Sequence, residues 1–289
     1  MFPLYLCGYR ERKMKIETIT SAQNPKVKTL LELQEKSRAR RKEGLFVVEG
    51  SRELLHCLSS GYLAHTVFVC TEIIPQAALG QLVESVTAGS EKCRFFDLPK
   101  HLYEKVAYRG STEGVIAELH CKEHSLETLD VKENPLVVVL EAVEKPGNLG
   151  AVLRSADASG ADAVIVCDPL TDLYNPNLIR SSIGGVFTVP VAAASSEDTI
   201  KWLKSKNIRI YTAQLQDSKW YYDTDMRGGT ALVMGTEATG LTDIWRKAAD
   251  AHIKIPMLGK LDSLNVSVSA AILMFEAVRQ RKSAKGNAL

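Results

Sequence analysis

Residues 136–167 read LVVVLEAVEKPGNLGAVLRSADASGADAVIVC, and the spacing of apolar, glycine and polar residues in that stretch decides the fold class. Leu136–Leu140 is an unbroken run of β-favouring apolar residues, the pattern of a parallel strand buried on both faces. A helical pattern near Leu149–Ser159 stops at Gly160, and Ala163–Cys167 repeats the buried-strand pattern, which gives a strand–loop–helix–strand unit. Further strands are expected at Val186–Val189, Ile208–Thr212, Ala231–Met234 and His252–Ile255, with helical patterns between most of them. The second half is therefore expected to be a mostly parallel, doubly wound α/β sheet.

Upstream, helices expected near Val27–Glu35, Ser51–Ser59, Ala77–Val86 and Lys100–Ala107 alternate with strands expected at Leu45–Val48, Thr66–Cys70, Cys93–Asp97 and Gly114–Glu118. This predicts a small α/β domain over residues 14–120. Cys121–Asn134 is charged, loses apolar periodicity and ends in Asn-Pro, as a linker over 121–134 would, and leaves 135–283 for the second domain. A chain of 289 residues suits two domains. Residues 1–13 put their apolar patch ahead of their basic residues and show no small-residue cleavage site. They read as an upstream start or extension and are left out of the fold.

Several function classes are excluded by composition. No apolar run approaches the roughly 18–20 residues of a membrane span, so a soluble protein is expected. The six cysteines are scattered without a C-x-x-C pair, which favours a reducing cytoplasm. His120-Cys121-x-x-His124 has the look of metal ligands, but no second pair accompanies it and no metal is expected. Net charge is only +2, so attraction to phosphate must come from a local patch. One patch is present: Lys36, Arg38, Arg40, Arg41 and Lys42, either a surface for an RNA backbone or a solvated helix face.

In the second half three segments combine glycines, amides and hydroxyls at strand ends, where open α/β sheets bind ligands. The first, Pro146-Gly147-Asn148-Leu149-Gly150-Ala151-Val152-Leu153-Arg154, places Asn148 in a loop and Arg154 about two turns into a helix. By itself it is as consistent with a plain βα turn as with a site. A dinucleotide site is the rival, with Asp168 ending the next strand, but the G-x-G-x-x-G spacing is absent. The second, Met234-Gly235-Thr236-Glu237-Ala238-Thr239-Gly240-Leu241, lets a ligand lie against bare backbone, with Glu237 as either a site residue or a helix cap. The third, Ile255-Pro256-Met257 through Ser263-Leu264-Asn265-Val266-Ser267, feeds an apolar helix from Val268 to about Arg281. Ser263 or Asn265 there suits an N-cap, and the stripe Ala270, Leu273, Met274 and Ala277 suits a core or dimer contact.

Taken together and in order, N-x-G-A-x-x-R, G-x-E-x-x-G-L and I-P-M-x-G-x-x-x-S-L-N-V-S resemble the three motifs of the SpoU/TrmH family of RNA ribose 2′-O-methyltransferases. The resemblance spans roughly Leu136 to Arg281, while Thr18–Ser21, Asn24-Pro25 and Gly44–Gly50 resemble the substrate-binding domain that many members carry in front. It implies an S-adenosyl-L-methionine-dependent enzyme, a deep trefoil knot in the C-terminal Rossmann-like domain, and a homodimer. It places the methyl donor against Gly235, Ile255 and Leu264, with Thr212, Ala213 and Gln214 as weaker candidates. It places Arg154 at the reacting ribose, near Asn148, Glu237, Ser263 and Asn265. A guanidinium is a poor proton acceptor, so an arginine suits a phosphate or a developing oxyanion better than general-base duty. The front domain favours ribosomal over transfer RNA, by analogy. Two other readings stand beside this one: a nucleotide-dependent Rossmann-like enzyme, which lacks its phosphate loop, and a non-catalytic RNA-binding protein of the same fold.

Overall fold

A computed structural model describes residues 16–90, 92–108, 113–236, 239–260 and 263–284. The chain divides into two compact units: one runs to Lys122 and takes in Tyr174–Pro176, the other comprises Glu123–Leu173 and the chain from Asn177.

In the first unit, Asn24 accepts a hydrogen bond from the Lys26 backbone N–H (2.9 Å) and Pro25 fills the first helical position, which starts α1 (Pro25–Glu35). A second helix, α2 (Ser37–Glu43), ends at Gly44 in the left-handed conformation, φ 64°, which turns the chain into a strand. The remaining elements are β1 (Glu17–Thr18), β2 (Leu45–Glu49), α3 (Ser51–Ser59), β3 (Ala64–Val69), α4 (Gln76–Gly89), β4 (Arg94–Asp97), α5 (Lys100–Val106) and β5 (Val115–His120). Sheet order is β1-β4-β3-β5-β2, with β3 parallel to β4 and antiparallel to β5. Val27, Leu30 and Leu33 of α1 meet Phe68, Phe96, Leu102 and Ile116 in one buried cluster. The alternation of helix and strand read from the sequence is what forms.

The second unit carries a seven-stranded sheet in the order β10-β12-β9-β11-β6-β7-β8, parallel throughout. Its elements are β6 (Leu136–Glu141), α6 (Pro146–Ser159), β7 (Ala163–Cys167), α7 (Pro176–Ser182), α8 (Gly185–Thr188), β8 (Val191–Ala194), α9 (Ser196–Ser205), β9 (Arg209–Ala213), β10 (Lys219–Trp220), β11 (Thr230–Met234), α10 (Asp243–Ala248), β12 (Ala251–Lys254) and α11 (Val266–Ala284). Side chains alternate along the strands. Val137, Val139, Ile165, Ile210 and Val233 gather on one face with Ile200 and Leu203 of α9 and Trp245 of α10. Helices α6 and α11 pack on each other and against β7, β6 and β11. The stripe Ala270, Leu273, Met274 and Ala277 is buried within the chain.

One expectation is corrected. Val186–Val189 is not a strand: Gly184, at φ 83°, starts the short helix α8, which buries Val186 and Phe187, and the strand begins only after Pro190. Short apolar runs carry no period long enough to separate the two cases. A 3-10 turn at Leu126–Thr128 buries Leu126 and Leu129 in the core of the second unit. Among the described residues, no helix is long and apolar enough to cross a membrane.

Candidate active site

Strand β9 pairs with both β11 and β12, so the carboxyl ends of all three lie side by side, and a cavity of about 380 Å³ opens there. Its wall is formed by Ala213–Gln216 at the end of β9, Met234–Thr236 and Thr239–Leu241 at and beyond the end of β11, and Ile255, Met257, Ser263 and Leu264 after β12. This volume lies within the range of sites for cofactor-sized ligands. The lining combines apolar side chains with the bare backbone of Gly235 and Gly240.

Gly235 is glycine because the loop closes on it. A Cβ there would lie 2.2 Å from the Gly240 carbonyl oxygen. Thr236 and Gly240 exchange backbone hydrogen bonds of 3.3 and 3.1 Å, and Gly240 sits at φ 68°. Glu237, the second motif's acidic residue, lies outside the described residues. Gln214 donates through Nε2 to the Gln216 carbonyl (2.9 Å), while its Oε1 is buried with no hydrogen-bond partner among the described residues. An orphaned acceptor of that kind costs roughly 1–3 kcal/mol, and a donor group on a ligand in this cavity would satisfy it. The wall therefore fits a nucleoside-like methyl donor: apolar slots, exposed main chain and one unfilled acceptor. Every donor candidate read from the sequence lines the cavity except Thr212, which is fully buried with Oγ1 2.6 Å from His252 Nδ1.

Asn148 occupies the first turn of α6, because the helix begins at Pro146 and not after a loop. Asn265 performs the cap considered for it: Oδ1 accepts from Ser267 N (2.9 Å) at the start of α11. Its remaining amide donates to Asn148 Oδ1 (3.1 Å), which joins the first and third motifs across 117 positions. Arg154 is exposed on α6 and is not among the residues lining the cavity. Gly150 answers a packing need: a Cβ would lie 1.9 Å from Ser181 Oγ of α7. Asp168 accepts from Ser196 Oγ (2.6 Å) and Ser196 N (3.2 Å) and so serves the start of α9, not a dinucleotide ribose. The buried Cys167 thiol is pushed up to about 12 by burial, opposed by its hydrogen bond to Thr199, so it is no nucleophile.

A model of the SpoU rRNA methylase family matches residues 135–275, and one of an MRM3-like substrate binding domain matches residues 24–117. The 23S rRNA (guanosine-2′-O-)-methyltransferase RlmB of Photobacterium profundum is 37% identical over 178 residues, 60% of this chain and 73% of that one. The chain belongs to the SpoU family. The 23S rRNA (guanosine(2553)-2′-O)-methyltransferase RlmP of Bacillus subtilis is 29% identical over 260 residues, 90% of this chain and 98% of that one. The crystal structure of an AdoMet-bound rRNA methyltransferase from Sinorhizobium meliloti superposes with a TM-score of 0.83 at 27% identity, covering 91% of this chain and 98% of that chain.

Sequence reasoning missed two contributors to this SpoU-family site. Glu141, the last residue of β6, is buried and accepts from Thr242 N (2.9 Å) and Thr242 Oγ1 (2.5 Å), which pins the end of the Gly235–Leu241 loop. Its only sequence signal is a carboxylate closing a strand that is otherwise apolar. Arg246 reaches the cavity wall from α10, a helix with no motif. In the first unit, Lys36, Arg38, Arg41 and Lys42 are exposed, with Lys36 3.2 Å from Glu32 and Lys42 3.0 Å from Glu43. Arg40 is removed from that surface: it is buried and donates to the carbonyls of Leu33 (2.6 Å) and Gln34 (3.2 Å), closing the end of α1. Among the described residues no three His, Cys, Asp or Glu side chains gather as a metal site.

Proposed function

We propose that this SpoU-family chain is an enzyme that methylates a ribose 2′-hydroxyl of RNA from S-adenosyl-L-methionine, with ribosomal RNA as the substrate class. The observation that carries the reading is the cavity at the ends of β9, β11 and β12, walled by the second and third motifs. Relatives that match over most of their length are 23S rRNA 2′-O-methyltransferases, and a structural neighbour holds AdoMet.

Gly235, Ile255, Leu264, Ala213 and Gln214 would hold the donor, and a sulfonium bound there supplies an electrophilic methyl group for displacement by the ribose oxygen. The chain's own task is alignment and charge control. The Asn148–Asn265 hydrogen bond ties the starts of α6 and α11 together at the edge of the third motif. Arg154, on the exposed face of α6, binds the phosphate or the developing oxyanion of the substrate, and Ser263 and Glu237 are the further candidates for handling the reacting hydroxyl. Lys36, Arg38, Arg41 and Lys42 hold the RNA backbone through the first unit, within a substrate-binding domain over 14–120, and 135–283 performs the chemistry. The protein works in the cytoplasm as a homodimer, and Val268 and Phe275, exposed seven residues apart on α11, support a contact with a second copy.

Mapping ribose methylation in ribosomal RNA from cells that lack this protein tests the assignment. One position that loses its 2′-O-methyl group, regained with the wild-type gene and not with Arg154→Ala, is the expected result. An unchanged methylation map in ribosomal RNA with a change in transfer RNA would reassign the substrate.

A further inference from the structure

In the second unit Trp245 and Tyr211 are buried, and Trp202 and Tyr221 are partly covered. Trp220 and Tyr222 are 40% and 46% exposed, with ring centroids 6.4 Å apart and planes inclined by only 23°. Trp220 stands on an edge of the sheet, because among the described residues β10 pairs with β12 alone, with Trp220 opposite Lys254 in that register, and Tyr222 follows in a 3-10 turn over Tyr221–Asp223. Lys254 links them to the cavity: its Nζ is 4.8 Å from the Trp220 ring centroid, and the residue also lines the donor cavity. Leu215 and Gln216, also in the cavity wall, begin the loop that leads to Trp220.

We infer that Trp220 and Tyr222 form a stacking platform for an unpaired base of the RNA substrate, beside the nucleotide whose ribose is methylated. Sequence-selective RNA recognition acts mostly on unpaired nucleotides whose bases stack on aromatic rings, and a lysine over a ring adds cation–π attraction. Lys254 places positive charge at the Trp220 ring, where a phosphate backbone would pass. Asp217 and Asp223, close by in sequence, keep the loop from being a general polyanion surface, so stacking carries the contact. This rests on the proposed RNA methylation at the adjacent cavity and specifies how that site meets its substrate.

The test measures binding of a fluorescein-labelled, 12-nucleotide single-stranded RNA of mixed sequence to full-length wild type, Trp220→Ala, Tyr222→Ala and Trp220→Phe. Donor affinity by calorimetry, particle mass by sedimentation and methyl transfer to ribosomal RNA are measured on each. Stacking predicts a loss of roughly ten-fold in RNA affinity for each alanine variant and near-wild-type binding for Trp220→Phe, with donor affinity and mass unchanged. Wild-type RNA affinity in both alanine variants overturns the platform while leaving the methylation reading standing. A fall in particle mass in either alanine variant overturns it in favour of a contact between copies. If wild type itself transfers no methyl group to RNA, the methylation reading fails and the platform falls with it.

Discussion

Ser181 Oγ occupies the place a side chain at position 150 would need, so Gly150→Ala overpacks the contact between α6 and α7. Such overpacking costs about 1–3 kcal/mol, and Ser181→Gly in the same chain should recover part of it, as urea denaturation of the single and double variants would show. Wild-type stability in Gly150→Ala would refute the packing account. Arg154 stands differently: exposed and outside the cavity wall, it supports no described core contact. Arg154→Ala should therefore keep stability and donor affinity while kcat falls by about 100-fold or more. A large change in donor affinity would place the side chain at the cofactor instead. At this scale the sequence revealed residue types and not partners. Asn148 and Asn265 are recognisable as polar groups at helix starts, but their 3.1 Å contact spans 117 positions and no local pattern encodes it. The basic run 36–42 is legible as charge, whereas the burial of Arg40 depends on where the α1 carbonyls end.

Elements were legible where the period was long or the caps explicit. Helix α1 announces itself by Asn24-Pro25, and β6, β7 and β11 by unbroken apolar runs. Helix α8 was not legible, because four residues make barely one turn and Gly184 decides the direction by a left-handed conformation that any glycine can adopt. The loop between β11 and α10 holds a further test. Glu141 anchors its far end through Thr242, and Ser196 Oγ approaches the same carboxylate (3.4 Å) while accepting from Trp245 Nε1 (3.0 Å). Glu141→Gln keeps the shape but offers one acceptor oxygen in place of two, so the loop should loosen and donor affinity should drop about ten-fold. Calorimetric titration with S-adenosyl-L-methionine checks this, and an unaltered dissociation constant would detach Glu141 from the cavity.

Strand order belongs to the whole molecule and to no segment of it. Composition places strands along the chain, but nothing local says that β11 inserts between β9 and β6 or that β12 closes outside β9, and those placements build the cavity. Stability as a function of pH is likewise a property of the whole. Glu118, buried in the first unit with Oε1 unpartnered among the described residues, is pushed up to about 7 by burial, against the hydrogen bond from Thr66 and the nearby charge of Arg94. His65, 3.5 Å from its other oxygen, is itself lowered by burial, so it does not supply a compensating charge at neutral pH. Because the folded protein holds this proton where the unfolded chain has released it, the contribution of Glu118 to stability is greatest below about pH 4.5 and declines until about pH 7. The decline attributable to this group is about 3 kcal/mol at most. Glu118→Gln should flatten that part of the profile in denaturant titrations at pH 5 and pH 8, and an equal decline in the variant would acquit Glu118.

The central claim is ribose methylation of ribosomal RNA at the cavity of the second unit, and its most direct test follows the methyl group. Purified protein, methyl-labelled S-adenosyl-L-methionine and ribosomal RNA from cells lacking the protein are combined, and the product is hydrolysed in alkali, which cannot cleave beside a 2′-O-methyl ribose. The account predicts label in alkali-resistant dinucleotides with wild type and its loss with Arg154→Ala. Label released as mononucleotides, which marks a methylated base, or equal labelling by the variant, would contradict it.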